Sequence, residues 1–260
     1  MDFLTNFERS KNIKKLFKHI FIIPESPLLD SNFYIITKNN EYMLIDSGNG
    51  ISFNQTIKAM KKIPELENGP AFKINNIKKI LMTHCHIDHI LGLYKFYKKI
   101  YPKPQIISSE QEAIYIEKAE KKVIIPIAGE LLGPMISKVS DIISGSGIYP
   151  INVDIKLKDN DHLKFGDFDY KIIHTPGHTP GGICLFEEEF KILFTGDTVF
   201  TNGSFGRIDF PMGNKEDLVS SLKRLSEMDV ELLLPGHMSP VLSNGTKHLK
   251  AAYNIASNYL

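Results

Sequence analysis

At 260 residues, with 42% hydrophobic and 23% charged content, the chain is long enough to bury a large core as a single domain spanning residues 1–260. Its 31 basic and 30 acidic residues leave a formal charge of +1, without the basic excess that a nucleic-acid partner usually requires. Two cysteines are too few for a disulfide framework, and the early apolar run Ile20 to Ile23 is cut by Pro24, too short for a membrane span and misplaced for a signal peptide. A cytoplasmic enzyme acting on a small molecule is the expectation, with no membrane or nucleic-acid partner.

In chain order, Lys11-Asn12-Ile13-Lys14-Lys15 reads as a solvated helix face. Phe33 to Thr37 and Tyr42 to Ile45 read as a hairpin turning at Lys38-Asn39-Asn40-Glu41, followed by a helix near Ser52 to Lys62. The apolar run Ile77 to Met82, broken only by Lys78 and Lys79, reads as a strand that ends in Thr83-His84-Cys85-His86-Ile87-Asp88-His89. A helix is expected from about Leu91 to Lys99. From about 106 to 151 the pattern predicts a helical insertion, two or three short helices broken by Gly and Pro. Such an insertion is a candidate lid or homodimer surface, or a packing embellishment. Strands follow near Ile151 to Leu157, Tyr170 to His174, Ile183 to Phe186 and Lys191 to Phe194. Then come a helix Lys215 to Glu227, a strand Glu231 to Leu234 and a last helix Thr246 to Tyr259. This alternation suits two packed sheets flanked by helices.

The chemistry concentrates at strand ends. His84, His86, Asp88 and His89 crowd three imidazoles and a carboxylate into one turn, a crowding of potentially cationic rings that has few uses unless a metal ion engages them. Three distant segments repeat the arrangement of a short apolar strand ending in a ligand-bearing turn. They are Thr175-Pro176-Gly177-His178-Thr179-Pro180-Gly181-Gly182, Phe194-Thr195-Gly196-Asp197-Thr198 and Leu232-Leu233-Leu234-Pro235-Gly236-His237. Imidazole and carboxylate donors suit Zn2+, with Fe2+ or Mn2+ possible on ligand type. His19, His162, His174 and His248 lie outside such turns and read as structural or surface residues. Cys85 alternates away from its histidine neighbours, and Cys184 reads as a small core residue.

T-H-x-H-x-D-H, P-G-H-T-P-G, G-D-T and P-G-H, in this order, resemble the metallo-β-lactamase superfamily across Asp46 to His237. The resemblance implies an α/β fold, a four-layer αβ/βα sandwich of two mixed sheets flanked by helices. It implies two zinc ions per chain: His84, His86 and His178 at the first, Asp88, His89 and His237 at the second, and Asp197 bridging both. Asp46 would support the metal loop without binding metal. Phe194 to Phe200 followed by Gly206-Arg207-Ile208-Asp209-Phe210-Pro211 resembles hydroxyacylglutathione hydrolases (glyoxalase II) and their short relatives. Arg207 and Asp209 are expected to pair locally and stiffen the loop after Asp197, in preference to contacting substrate.

The implied activity is hydrolysis of a small thioester, ester or lactone by attack of a metal-bound hydroxide, with Asp88 taking the proton or orienting the nucleophile. Two alternatives remain. A mononuclear iron persulfide dioxygenase would use His84, His178 and Asp197 as a two-His, one-carboxylate triad. A nucleic-acid phosphodiesterase shares the ligands but is disfavoured by the near-neutral charge. The stretch after His237 predicts one helix, less than the basic helical tail with which full-length hydroxyacylglutathione hydrolases bind glutathione.

Overall fold

The computed structural model describes residues 11–27, 30–125 and 147–260. Its first sheet opens as an antiparallel meander of β1 (Lys14–Phe17), β2 (Ile20–Ile23), β3 (Phe33–Lys38) and β4 (Glu41–Ile45). All four residues of β2 are buried, as an apolar strand covered on both faces requires. This pairing also overturns the helix expected around Lys11 to Lys15, because Lys14 and Lys15 lie opposite Ile22 and Phe21 in the ladder. Lys11 itself is buried and ion-paired with Asp30. Lys38 pairs with Glu41, so the β3–β4 turn needs only Asn39 and Asn40. Both adopt positive φ, 49° and 62°, the left-handed conformation that tight hairpins demand and asparagine tolerates.

Helices α1 (Phe53–Met60) and α2 (Ile63–Glu67) then lead to the parallel half of the sheet, β5 (Ile77–Leu81), β6 (Gln105–Ser109) and β7 (Ile155–Leu157). Helix α3 (Ile87–Lys99) makes the crossover from β5 to β6, and α4 (Glu110–Lys118) and α5 (Lys121–Ile124) follow β6. The start of the expected insertion is therefore an ordinary strand and helix of the fold. Its part between 126 and 146 lies outside the described residues, and the strand expected from Ile151 forms only at Ile155.

The second sheet runs in the order β12-β11-β10-β9-β8, from β8 (His162–Phe165), β9 (Phe168–His174), β10 (Ile183–Glu187), β11 (Ile192–Gly196) and β12 (Leu232–Pro235). Among the described residues, only β11 and β12 pair in parallel there. Helices α6 (Lys215–Ser226) and α7 (Gly245–Tyr259) cover its outer face.

The period of two along the strands divides the apolar residues into three layers. Ile20, Ile22, Tyr34, Met43 and Ile45 meet Tyr170, Ile172, Leu185, Phe194 and Leu234 between the sheets. Phe21, Ile23, Leu44 and Ile80 pack outward on Ile90, Leu93 and Phe96 of α3. On the far side Ile173, Cys184, Leu193 and Leu233 pack on Leu218 and Leu222 of α6 and Leu249 and Ala252 of α7. The layers run helix, sheet, sheet, helix. Among the described residues no helix is long and apolar enough to cross a membrane.

Candidate metal centre

The sheets bring their ligand-bearing strand ends to one edge. Asp46 follows β4 with φ 62°. His84 and His86 lie between β5 and α3, Asp88 and His89 in the first turn of α3, His178 between β9 and β10, Asp197 after β11 and His237 after β12. Helix α3 begins at Ile87, earlier than the expected Leu91, because His86 is its extended N-cap (φ −65°, ψ 150°) and the cluster itself opens the helix. That start places the Asp88 carboxylate at a helix N-terminus, where negative charge is favoured.

All seven donors expected from the motifs come together, in two adjoining groups. His84, His86 and His178 form one; Asp88, His89, Asp197 and His237 form the other; within each, one donor atom per residue lies within 4.8 Å of the rest. His86 Nδ1 faces His178 Nε2 at 2.8 Å. Asp197 stands at the junction, with Oδ1 3.1 Å from His89 Nε2 and Oδ2 3.5 Å from His178 Nε2 and 3.3 Å from His237 Nε2. Asp88 Oδ2 is 3.1 Å from His237 Nε2. Gly236 permits this closeness, since a Cβ there would meet Asp197 Oδ1 at 2.4 Å and His89 Cε1 at 2.7 Å.

Most of the rings are oriented from behind by their other nitrogen. His89 Nδ1 meets Asp46 Oδ2 at 2.9 Å, and Asp46 also accepts the Thr83 amide at 2.8 Å and the Thr83 hydroxyl. Thr83 Oγ1 in turn lies 3.1 Å from His84 Nδ1. His178 Nδ1 lies 2.6 Å from the Arg207 carbonyl oxygen. Arg207 thus reaches the site through its backbone, while its guanidinium donates to Asp209 at 2.8 Å and lies 4.5 Å over the Phe210 ring. His237 Nδ1 meets Glu25 Oε2 at 2.7 Å, and the other Glu25 oxygen accepts the Met238 amide at 2.9 Å. Glu25 was not foreseen and carries no motif. Glu112 was also missed as a site residue, although Ser109-x-x-Glu112 has the spacing of a helix capping box.

Electrostatics separate the two groups. Burial, then the neighbouring His89, push His84 well below its ordinary pKa, and burial with His178 brings His86 to about 3, so both rings are neutral donors. Burial also opposes protonation of His89, but Asp197, Asp46 and Asp88 outweigh it and hold this ring at about 10. His237 is raised in the same way against its burial, chiefly by Asp197. Burial would raise Asp197, yet His237 and His89 keep its carboxyl well below the usual range. Without a metal, protons on His89 and His237 compensate the carboxylates; a cation does the same work while engaging the ring nitrogens. Cys85 takes no part, since its side chain belongs to the core under the first sheet and burial, with Glu112 nearby, pushes its thiol well up.

A cleft of about 200 Å³ opens over the donors, walled by Ile87, Phe200, Phe210 and Arg207, with His86, Asp88, His178, Asp197 and His237 at its base.

Residues 26–237 match the model of the metallo-beta-lactamase superfamily, and the chain belongs to that superfamily as one of its hydrolases. Among its relatives, the hydroxyacylglutathione hydrolase GloC of Haemophilus influenzae is 30% identical over 229 residues, covering 85% of this chain and 91% of that protein. The acyl-coenzyme A thioesterase MBLAC2 of Gallus gallus is 30% identical over 237 residues, covering 88% and 78%. In three dimensions the fold is similar to a metallo-beta-lactamase family protein from Thermus thermophilus, with a TM-score of 0.68 at 19% identity, over 94% of this chain and 80% of that one.

Proposed function

We propose that the chain is a dinuclear zinc hydrolase of small thioesters, esters or lactones, with thioesters the first class to test. The observation that carries this reading is the meeting of two donor groups at Asp197. The donor set fits a metal: among the described residues the buried atoms His84 Nε2 and His86 Nε2 make no hydrogen bond, a costly condition unless a cation engages them. His84, His86 and His178 would hold one ion, Asp88, His89 and His237 the other, and Asp197 both. Bound divalent zinc supplies an ionised water at neutral pH and a Lewis acid for a carbonyl oxygen.

The chain's own groups do the rest. Asp88 lines the cleft, and its carboxylate is assigned to orient the nucleophile or take its proton. Ile87, Phe200 and Phe210 give an acyl group an apolar wall and keep bulk water from the donors. The small cleft favours a short acyl chain. Thioester chemistry is supported by the two relatives whose names record it. An iron dioxygenase triad of His84, His178 and Asp197 would leave the group around Asp88, His89 and His237 with nothing to hold, which favours the hydrolase. The test is turnover by zinc-loaded protein of a panel holding a hydroxyacylglutathione, a short acyl-coenzyme A, a carboxylic ester and a lactone. Thioester hydrolysis is expected; a panel left intact, or oxygen uptake on a persulfide by iron-loaded protein, would overturn the assignment.

A further inference from the structure

Glu112 is fully buried in the first turn of α4, and it does not cap its own helix in the usual reciprocal way. A glutamate three residues after a serine N-cap ordinarily turns back to the N-cap amide. Here Ser109 does accept the Glu112 amide, but the Glu112 side chain is directed elsewhere. Its Oε2 accepts the Cys85 amide at 2.9 Å, between His84 and His86, and its Oε1 accepts the Gly181 amide at 3.0 Å, three residues beyond His178. Ser109 Oγ donates to the Gly181 carbonyl at 2.6 Å, so α4 holds both backbone polar groups of Gly181. The approach is close enough to exclude any side chain at 181, where a Cβ would lie 2.7 Å from Gln111 Cβ, the Glu112 nitrogen and Ser109 Oγ.

We propose that Glu112 is a positioning residue that clamps the His84–His86 loop to the His178 loop and thereby sets the spacing of the three imidazoles. The loops belong to different sheets, β5 and β9–β10, and a rigid carboxyl spanning them converts two independent turns into one donor frame. Such supporting contacts typically change metal affinity by about 10–100-fold. The inference rests on the reading of His84, His86 and His178 as ligands of one ion. It does not depend on which substrate is cleaved.

The test compares wild type with E112Q, whose carboxamide presents N–H to one of the two amide donors. In metal-free protein, amide hydrogen exchange at Cys85 and Gly181 is expected to accelerate. In a zinc titration, the binding step that H84A removes is expected to weaken by about 10–100-fold in E112Q, with the other step unchanged. S109A keeps the carboxyl but loses both the Gly181 carbonyl contact and the N-cap bond from the Glu112 amide; it is expected to show a smaller change of the same kind, and it decides the question by the same readouts should E112Q fail to fold. Unchanged exchange and unchanged affinity would overturn the clamp. Equal weakening of both steps with a lowered melting temperature would also overturn it, by reducing Glu112 to general packing. Wild-type protein that bound no zinc would defeat the dinuclear reading while the exchange comparison still judged the clamp.

Discussion

Asp197 is the residue at which the two donor groups meet, since its oxygens face histidines of both groups across 3.1–3.5 Å. Asp197→Ala is expected to lose zinc and hydrolysis together, by more than the roughly 10–100-fold that loss of a supporting contact costs; full metal content and full activity in the purified variant would reject the bridge. Glu25 acts on one side only, through His237 Nδ1. Glu25→Ala is therefore expected to weaken the ion of the Asp88, His89 and His237 group by about 10–100-fold and to spare the three-imidazole group, as read by competition with a chelator. The difference in legibility between these residues is physical. The donors stand in short motifs because imidazoles at fixed spacings on one turn have few other uses, and Asp197 and His237 share the strand-then-turn pattern. Glu25 and Glu112 act by accepting backbone amides from segments far away in sequence, and a carboxylate so employed looks like any other until the chain is folded.

At the scale of elements, the start of α3 governs the site. His86 as N-cap places Asp88 and His89 on the first helical turn, and Gly92 lets that turn sit against the β4 end. A Cβ at Gly92 would lie 2.0 Å from the Ser47 carbonyl oxygen, and the Gly92 amide donates to the Gly48 carbonyl at 2.8 Å. Gly92→Ala is expected to push the helix off the Asp46 loop, costing about 1–3 kcal/mol of stability in chemical denaturation and weakening the binding of the ion proposed for the Asp88, His89 and His237 group. A variant with wild-type stability and metal content would show that α3 can slide without consequence. The sequence displayed long amphipathic helices such as α6 and α7 within a residue or two, since their period is sustained over three turns or more. It concealed β1, β2, β6 and β8. These are strands of 4 or 5 residues, and what stabilises them is a ladder partner that local pattern does not reveal. Lys14 and Lys15 show the cost of that blindness, because their charge suggested a solvated helix where an edge strand lies.

For the whole molecule, the four layers explain how seven donors drawn from two sheets come to stand together at one edge. One sheet brings Asp46, His84 and His86 to the shared edge, the other brings His178, Asp197 and His237, and the apolar layer between the sheets fixes their relative position. Phe194 sits in that layer 5.1 Å from the Tyr34 ring and 5.8 Å from the Tyr170 ring, three residues before Asp197. Packing and the placement of the donors are thus connected through one short strand. The family and the four-layer fold were legible in the order of the motifs, while the walls of the cleft, where substrate choice resides, required the folded chain. A dinuclear hydrolase differs from its alternatives above all in how many ions it needs. Metal-free protein titrated with zinc, with thioester hydrolysis followed at each addition, is predicted to take up two ions per chain and to reach full activity only as the second is bound. Full activity with one ion, or a chain that binds no zinc while folded, would contradict it.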